Sequence, residues 1–206
     1  MLNAGLTGGI ASGKTTISML LEEKGAHIID FDRLAHKAEE PGEAAWKGIV
    51  DHFGGIVLSD GKIDRKKLGD IVFKNPRELE ELNCIVHPVV DELWRARVRQ
   101  IAEQDERAII ISDVPLLFET GWDRKVDFVI LVYISPGEQV RRLMHRNGIS
   151  PEEAYLRLKS QMPIDQKVAR SDFVLNNEGP LEKSREQAER LWKKLREQEE
   201  LNFHTF

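Results

Sequence analysis

Eight residues near the N-terminus combine three kinds of group in a fixed order. Gly8-Gly-Ile-Ala-Ser-Gly13-Lys14-Thr15 follows the pattern G-x-x-x-x-G-K-[ST]. Glycines let a backbone curl until successive N–H groups point at one anion. A helix that starts at the lysine aims its positive end at the same place. The Lys14 ammonium can then reach the β- and γ-phosphates of a nucleotide, and the Thr15 hydroxyl can ligate Mg²⁺. The chemistry that fits is ATP-dependent phosphoryl transfer.

Acidic and basic residues further on suit the same chemistry. Asp30-Phe31-Asp32 ends an apolar run. Beyond the carboxyl end of a strand, one carboxylate would face phosphates while the other caps or orients. The plainer alternative is that Asp32 N-caps a helix beginning near Arg33. Asp113 follows another apolar run and could hold Mg²⁺ through water, or could cap a turn ahead of Pro115. Leu116, Leu117 and Phe118 then form either a pocket wall or plain core. Arg142 and Arg146 are four apart, so they share one helical face, as stabilising a transferred phosphoryl group requires. Lys167 and Arg170 extend that basic region. His87 precedes Pro88, which fits the first turn of a helix from Val89, and an anion could bind there. Asn176 and Asn177 end the apolar stretch 173–175 in a loop closed by Gly179; such a loop can present backbone groups to an adenine. His27, His36, His52, His145 and His204 show no metal-ligand spacing.

Positioning these groups takes an alternating fold. Residues 4–7, 27–29, 108–112, 128–133 and 173–175 read as five strands, and the β-branched runs suit parallel strands covered on both faces. Residues 14–24 read as a helix with Ile17, Leu20 and Leu21 on one face and Gly25 at its C′ position. Helical patterns then fill 33–104, interrupted by Gly54-Gly55 and an Asp60-Gly61 hairpin turn. Helices at 138–146, 151–161 and 181–201 complete the chain, the last a charged, amphipathic and solvated one.

Composition narrows the class. The chain has 206 residues and a formal net charge of −5, which argues against broad nucleic-acid binding. Any positive charge for polyanionic substrates must be gathered locally. The single cysteine, Cys84, excludes an internal disulfide, suits a reducing cytoplasm and sits in an apolar stretch that predicts a buried position. No apolar run reaches the roughly 18 residues of a membrane span. The first residues carry no basic leader, so no targeting segment is expected.

The chain resembles the dephospho-coenzyme A kinases along nearly its whole length. The markers are Leu6 through Thr15, Asp30-Phe31-Asp32, Glu40-Pro41-Gly42, His87-Pro88, Val114 through Glu119, Arg142 with Arg146, Gln161, and Asp172 through Gly179. Phe31 stands where the family often has alanine. The resemblance implies an α/β three-layer P-loop fold with a five-stranded parallel sheet: core 1–32, 105–135 and 165–206, a helical CoA-binding insert at 33–104, and a helical lid at 136–164. It implies phosphorylation of the ribose 3′-hydroxyl of dephospho-CoA by ATP, with Mg²⁺, in a monomer or weak homo-oligomer that binds neither nucleic acid nor membrane. Asp32 would then be the base or hydroxyl-orienting group, acting with Lys14, Arg142 and Arg146. ATP would be held by Gly9, Ala11, Ser12, Gly13, Lys14, Thr15, Thr16, Arg142 and Asn177. The acceptor would meet Thr7, Asp32, His87, Pro115, Leu116 and Leu117, and the metal Thr15 and Asp113.

Overall fold

Strands that are apolar on both faces must lie inside a layered sheet. The computed structural model describes residues 1–203, and His204 lies outside them. Its strands are β1 (Leu2–Gly8), β2 (His27–Asp30), β3 (Leu58–Ser59), β4 (Lys62–Ile63), β5 (Ile109–Asp113), β6 (Phe128–Tyr133) and β7 (Phe173–Asn176). Five form one sheet in the order β2-β5-β1-β6-β7. β1 runs parallel to both β5 and β6, and β6 parallel to β7. Leu6 pairs with Asp113 and Gly8 with Val132. That register brings the loop after β1 and the carboxylate ending β5 to the same carboxyl edge of the sheet.

The helices are α1 (Lys14–Glu22), α2 (Phe31–Ala38), α3 (Ala44–Phe53), α4 (Arg65–Val72), α5 (Pro76–Gln104), α6 (Pro136–Asn147), α7 (Pro151–Lys159), α8 (Ile164–Val168) and α9 (Leu181–Phe203). One core joins Leu2, Ala4 and Leu6 of β1 to Ile109 and Ile111 of β5 and Ile130 and Val132 of β6. Ile17, Leu20 and Leu21 of α1 and Ala188, Leu191 and Leu195 of α9 cover it. Each fully buried Leu or Ile contributes about 1.5–3 kcal/mol. The 188-191-195 spacing leaves most of the charged remainder of α9 to solvent, as the sequence predicts, but Glu199 departs from it, fully buried and paired with Arg107 at 2.9 Å. Gly25 has φ 102° but follows a helix that already ends at Glu22, so it sits one place beyond the expected C′ position.

The chain divides into two compact units, Met1–Ile29 with Ile101–Phe206, and Asp30–Gln100. The second unit begins at Asp30, whose carboxylate accepts the N–H groups of Asp32 (2.9 Å) and Arg33 (3.2 Å) and caps α2. The segment 136–164 belongs to the first unit. In the second, Asp60 and Gly61 both have positive φ, 50° and 76°, and turn the β3–β4 hairpin as a type I′ turn.

Two expectations fail in the second unit, for one reason. α5 runs unbroken through Pro88, so no helix begins at Val89. A proline inside a helix costs roughly 3 kcal/mol. Here the buried residues Val86, Val90 and Trp94 continue one stripe at four-residue spacing across it, and burying that stripe outweighs the loss. Cys84 is two residues from Val86, about 200° around the helix, and is exposed rather than buried.

Candidate active site

The site begins with a helix that its own sequence leaves uncapped. Gly13 precedes α1 with φ 81°, no side chain caps the helix, and its first turn holds no acid. The first two residues of α1, Lys14 and Thr15, therefore have no intrahelical acceptor for their N–H groups, at the positive end of the helix dipole, the kind of place where anions bind. Gly13 has no alternative: its φ is left-handed, and a Cβ there would lie 2.3 Å from Asn177 Nδ2. At Gly9 a Cβ would lie 2.5 Å from Gln139 Oε1. Ala11 also adopts positive φ, 59°, without glycine's freedom.

Two of the expected ATP contacts, Ser12 and Thr16, already use their N–H groups within the protein. Ser12 turns inward: its hydroxyl is buried against Gly8 without a hydrogen-bond partner, and its N–H donates to the Gly9 carbonyl at 3.1 Å. It shapes the loop rather than presenting donors. The Thr16 N–H is likewise used, by the Gly13 carbonyl at 3.0 Å. Ala11 and Gly13 lie in the loop, and Lys14 and Thr15 open the first turn of α1. The Lys14 ammonium pairs with the Asp113 carboxylate, which joins the loop's cation to the acid that ends β5.

Arg142 and Arg146 share a face of α6, as their spacing requires, and with Ala11, Gly13, Arg141 and His145 line a cavity of about 410 Å³. Arg142 is held from two sides. Its Nε donates to Glu138 Oε1 at 2.6 Å, and Nη2 donates to the Asn177 carbonyl at 2.8 Å. Hydrogen bonds from Arg141 and Arg142 hold the Glu138 carboxyl at about 2, well below its ordinary value. Asn177 is a hub. Its Nδ2 donates to the Ser12 carbonyl at 2.8 Å, and its Oδ1 accepts the Ser184 hydroxyl at 2.6 Å. The expected adenine-facing loop thus grips the phosphate loop with a side chain.

The segment after Asp113 divides in an unforeseen way. Thr7 is fully buried and its hydroxyl donates to the Pro115 carbonyl at 3.1 Å. It therefore shapes this segment instead of meeting an acceptor. Leu117 is fully buried, 2.7 Å from where a Cβ on Gly5 would stand, and Phe118 lies under Arg170. Both are core. Leu116 alone of the three is exposed, at 40%, with Pro115 partly so. Lys167 and Arg170 do not extend the arginine face. Lys167 is fully buried 2.9 Å from Glu119 Oε1, an ion pair without hydrogen-bond alignment. Arg170 pairs with Asp123 at 2.7 Å.

In the second unit, Asp30, not Asp32, is the cap. Asp32 lies in the first turn of α2, exposed, and its carboxylate takes no hydrogen bond or ion pair from the other described residues. Phe31 is buried and packs on Trp94, with ring centroids 6.4 Å apart. It anchors α2. His87 is partly buried in mid-helix, so the helix-start reason for anion binding there falls.

A profile of the dephospho-CoA kinase family matches residues 2–183. The chain belongs to the dephospho-CoA kinase family. A dephospho-CoA kinase of Syntrophus aciditrophicus is 52% identical over 98% of this chain and 86% of its own length. That of Geobacillus kaustophilus is 46% identical over 90% and 92%. Among solved structures, the dephospho-CoA kinase of Campylobacter jejuni superposes with a TM-score of 0.70 at 27% identity, covering 95% and 97% of the two chains. A Thermus thermophilus structure gives 0.80 at 35%, covering 92% and 95%. The chain is thus a kinase with a five-stranded parallel P-loop core, and as in its family ATP is the phosphoryl donor. No helix among the described residues is long and apolar enough to cross a membrane.

Three residues of this kinase site escaped the sequence reading. Glu138 was legible as an acid four residues before Arg142. Gln139, against Gly9, and Ser184, against Asn177, had no such signal, because their partners are set by packing between elements.

Proposed function

We infer that the chain transfers the γ-phosphoryl group of ATP to the ribose 3′-hydroxyl of dephospho-CoA, giving CoA and ADP. The observation that carries the reading is the uncapped start of α1, with Lys14 in the phosphate loop and the loop itself lining the Arg142 and Arg146 cavity. Family membership supplies the acceptor.

Phosphoryl transfer needs alignment and charge neutralisation more than covalent help. The loop N–H groups and Lys14 hold the β- and γ-phosphates. Arg142 and Arg146 stabilise charge on the transferred group. The acceptor oxygen bonds to the γ-phosphorus, the bond to the β–γ bridging oxygen breaks, and the hydroxyl proton passes to the Asp32 carboxylate. His87, Pro115 and Leu116 remain the acceptor-side candidates.

Mg²⁺ suits the donor set. It binds through one or two protein oxygens, completing its shell with phosphates and water. The nearly buried Asp113 carboxylate and the Thr15 hydroxyl are such a pair, and the described residues contain no cluster of three or more acidic, His or Cys ligands. When bound, the ion supplies charge neutralisation for the phosphates.

The test is an ATP-consumption assay with dephospho-CoA, with the phosphorylated position on the ribose located in the product. Phosphorylation of a nucleoside monophosphate but not of dephospho-CoA would reject the reading.

A further inference from the structure

Ala11 occupies left-handed backbone space with φ 59°, where a residue bearing Cβ pays about 1–2 kcal/mol. Without a ligand, the phosphate loop keeps this strained shape only if its surroundings impose it. Two side-chain amides grip the loop immediately on either side of Ala11. Before it, the Ile10 N–H donates to Gln161 Oε1 at 3.0 Å. After it, the Ser12 carbonyl accepts Asn177 Nδ2–H at 2.8 Å.

Gln161 is itself fixed. Its N–H donates to the Leu158 carbonyl at 3.1 Å. The next N–H, of Met162, donates to Glu119 Oε1 at 2.9 Å, the same oxygen that lies beside the buried Lys167 ammonium. From the other side, the Ile10 and Ala11 side chains pack against Val140, Leu143 and Ala154 of α6 and α7. The chain leaving α7 is therefore pinned to the segment after β5, and it presents one acceptor to the phosphate loop.

We propose that Gln161 is a positioning residue that pre-forms the phosphate loop, acting through the Ile10 N–H in concert with Asn177. The proposal rests on the reading of this loop as the site of ATP. Its contribution is to the shape in which Ala11, Gly13 and Lys14 present their N–H groups, and so to nucleotide affinity more than to the acceptor.

The test uses the full chain with Gln161→Met, which keeps the length and volume of the side chain and removes the acceptor, alongside Gln161→Ala. ADP affinity is measured by calorimetry. Losing one neutral hydrogen bond that pre-forms the loop should weaken ADP binding about fivefold in both variants. KM for ATP should rise in parallel while KM for dephospho-CoA and the Tm of the ligand-free protein stay near wild type. Wild-type ADP affinity in Gln161→Met overturns the proposal, whatever Gln161→Ala does, because volume rather than the acceptor would then matter. Equal losses for ATP and dephospho-CoA also overturn it, since that is general structural damage. ADP binding does not involve the acceptor, so the calorimetric outcome is independent of whether wild type phosphorylates dephospho-CoA.

Discussion

In the unit made of Met1–Ile29 and Ile101–Phe206, the groups proposed to face phosphate are largely main-chain N–H groups on a loop held by other residues' side chains. Gln139 abuts Gly9, Gln161 takes the Ile10 N–H, and Asn177 holds the Ser12 carbonyl. In the unit Asp30–Gln100, the reactive group proposed is one side chain, Asp32, whose neighbour Asp30 does the capping. A site made of backbone is spread over many contacts and should weaken by degrees. A site made of one carboxylate should fail in the chemical step while leaving nucleotide binding intact.

Lys14→Ala tests an exception within the first unit, a side-chain cation in a loop otherwise proposed to act through its backbone. Loss of a cation that neutralises the γ-phosphate should lower kcat by about 10³-fold or more. The variant should also melt lower, because the mostly buried Asp113 loses this partner. Full turnover in a steady-state assay would remove Lys14 from the mechanism. Asp32→Asn comes next, with kcat lower by about 10²-fold and ADP affinity unchanged by calorimetry. A large loss of ADP affinity in Asp32→Asn would break the division between the units, and near-normal kcat would remove Asp32 as the base.

The same contrast explains what was legible in the sequence. The phosphate loop could be read because its function is local: glycine spacing, lysine and helix start are consecutive in the chain. The strands were legible because each is a short apolar run, and those at 109–113 and 128–133 are apolar on both faces. Arg142 and Arg146 were legible because helical spacing needs no tertiary knowledge. What misled were residues whose roles are decided by packing. Thr7 and Leu117 looked like acceptor contacts yet are fully buried, and Lys167 looked like part of the basic region of Arg142 and Arg146 yet is buried beside Glu119. Pro88 looked like a helix start until the Val86, Val90 and Trp94 stripe is seen to run through it. Ser184 could not be foreseen, since its hydroxyl matters only once α9 is laid against Asn177.

Ser184 gives the next, smaller prediction. Its hydroxyl is buried and donates to Asn177 Oδ1, which fixes the amide so that Nδ2 faces the Ser12 carbonyl. Ser184→Ala leaves that buried oxygen unpaired and frees the amide to turn. KM for ATP should rise about fivefold, the scale of one lost hydrogen bond, with kcat nearly constant. A drop in kcat with unchanged KM would show that the network serves the transferred group rather than the loop.

Glu138→Gln should have the smallest effect and asks whether the arginine face depends on charge. Glutamine keeps a carbonyl for Arg142 Nε, so ATP turnover should change by less than about threefold. The ion pair is partly exposed, and its loss should lower Tm by about 2 °C at neutral pH. The pH dependence carries the sign. The folded-state value of the Glu138 carboxyl, about 2, lies below the ordinary 4.5 because Arg141 and Arg142 donate to the ionised form. Its stabilisation is therefore complete above 4.5 and disappears as pH falls toward 2. The Tm gap between wild type and Glu138→Gln should be constant above about pH 5 and close on acidification below 4.5. A gap that is unchanged at pH 3 would mean that Glu138 acts by shape alone, and the first unit would then hold even its arginines by packing rather than by charge.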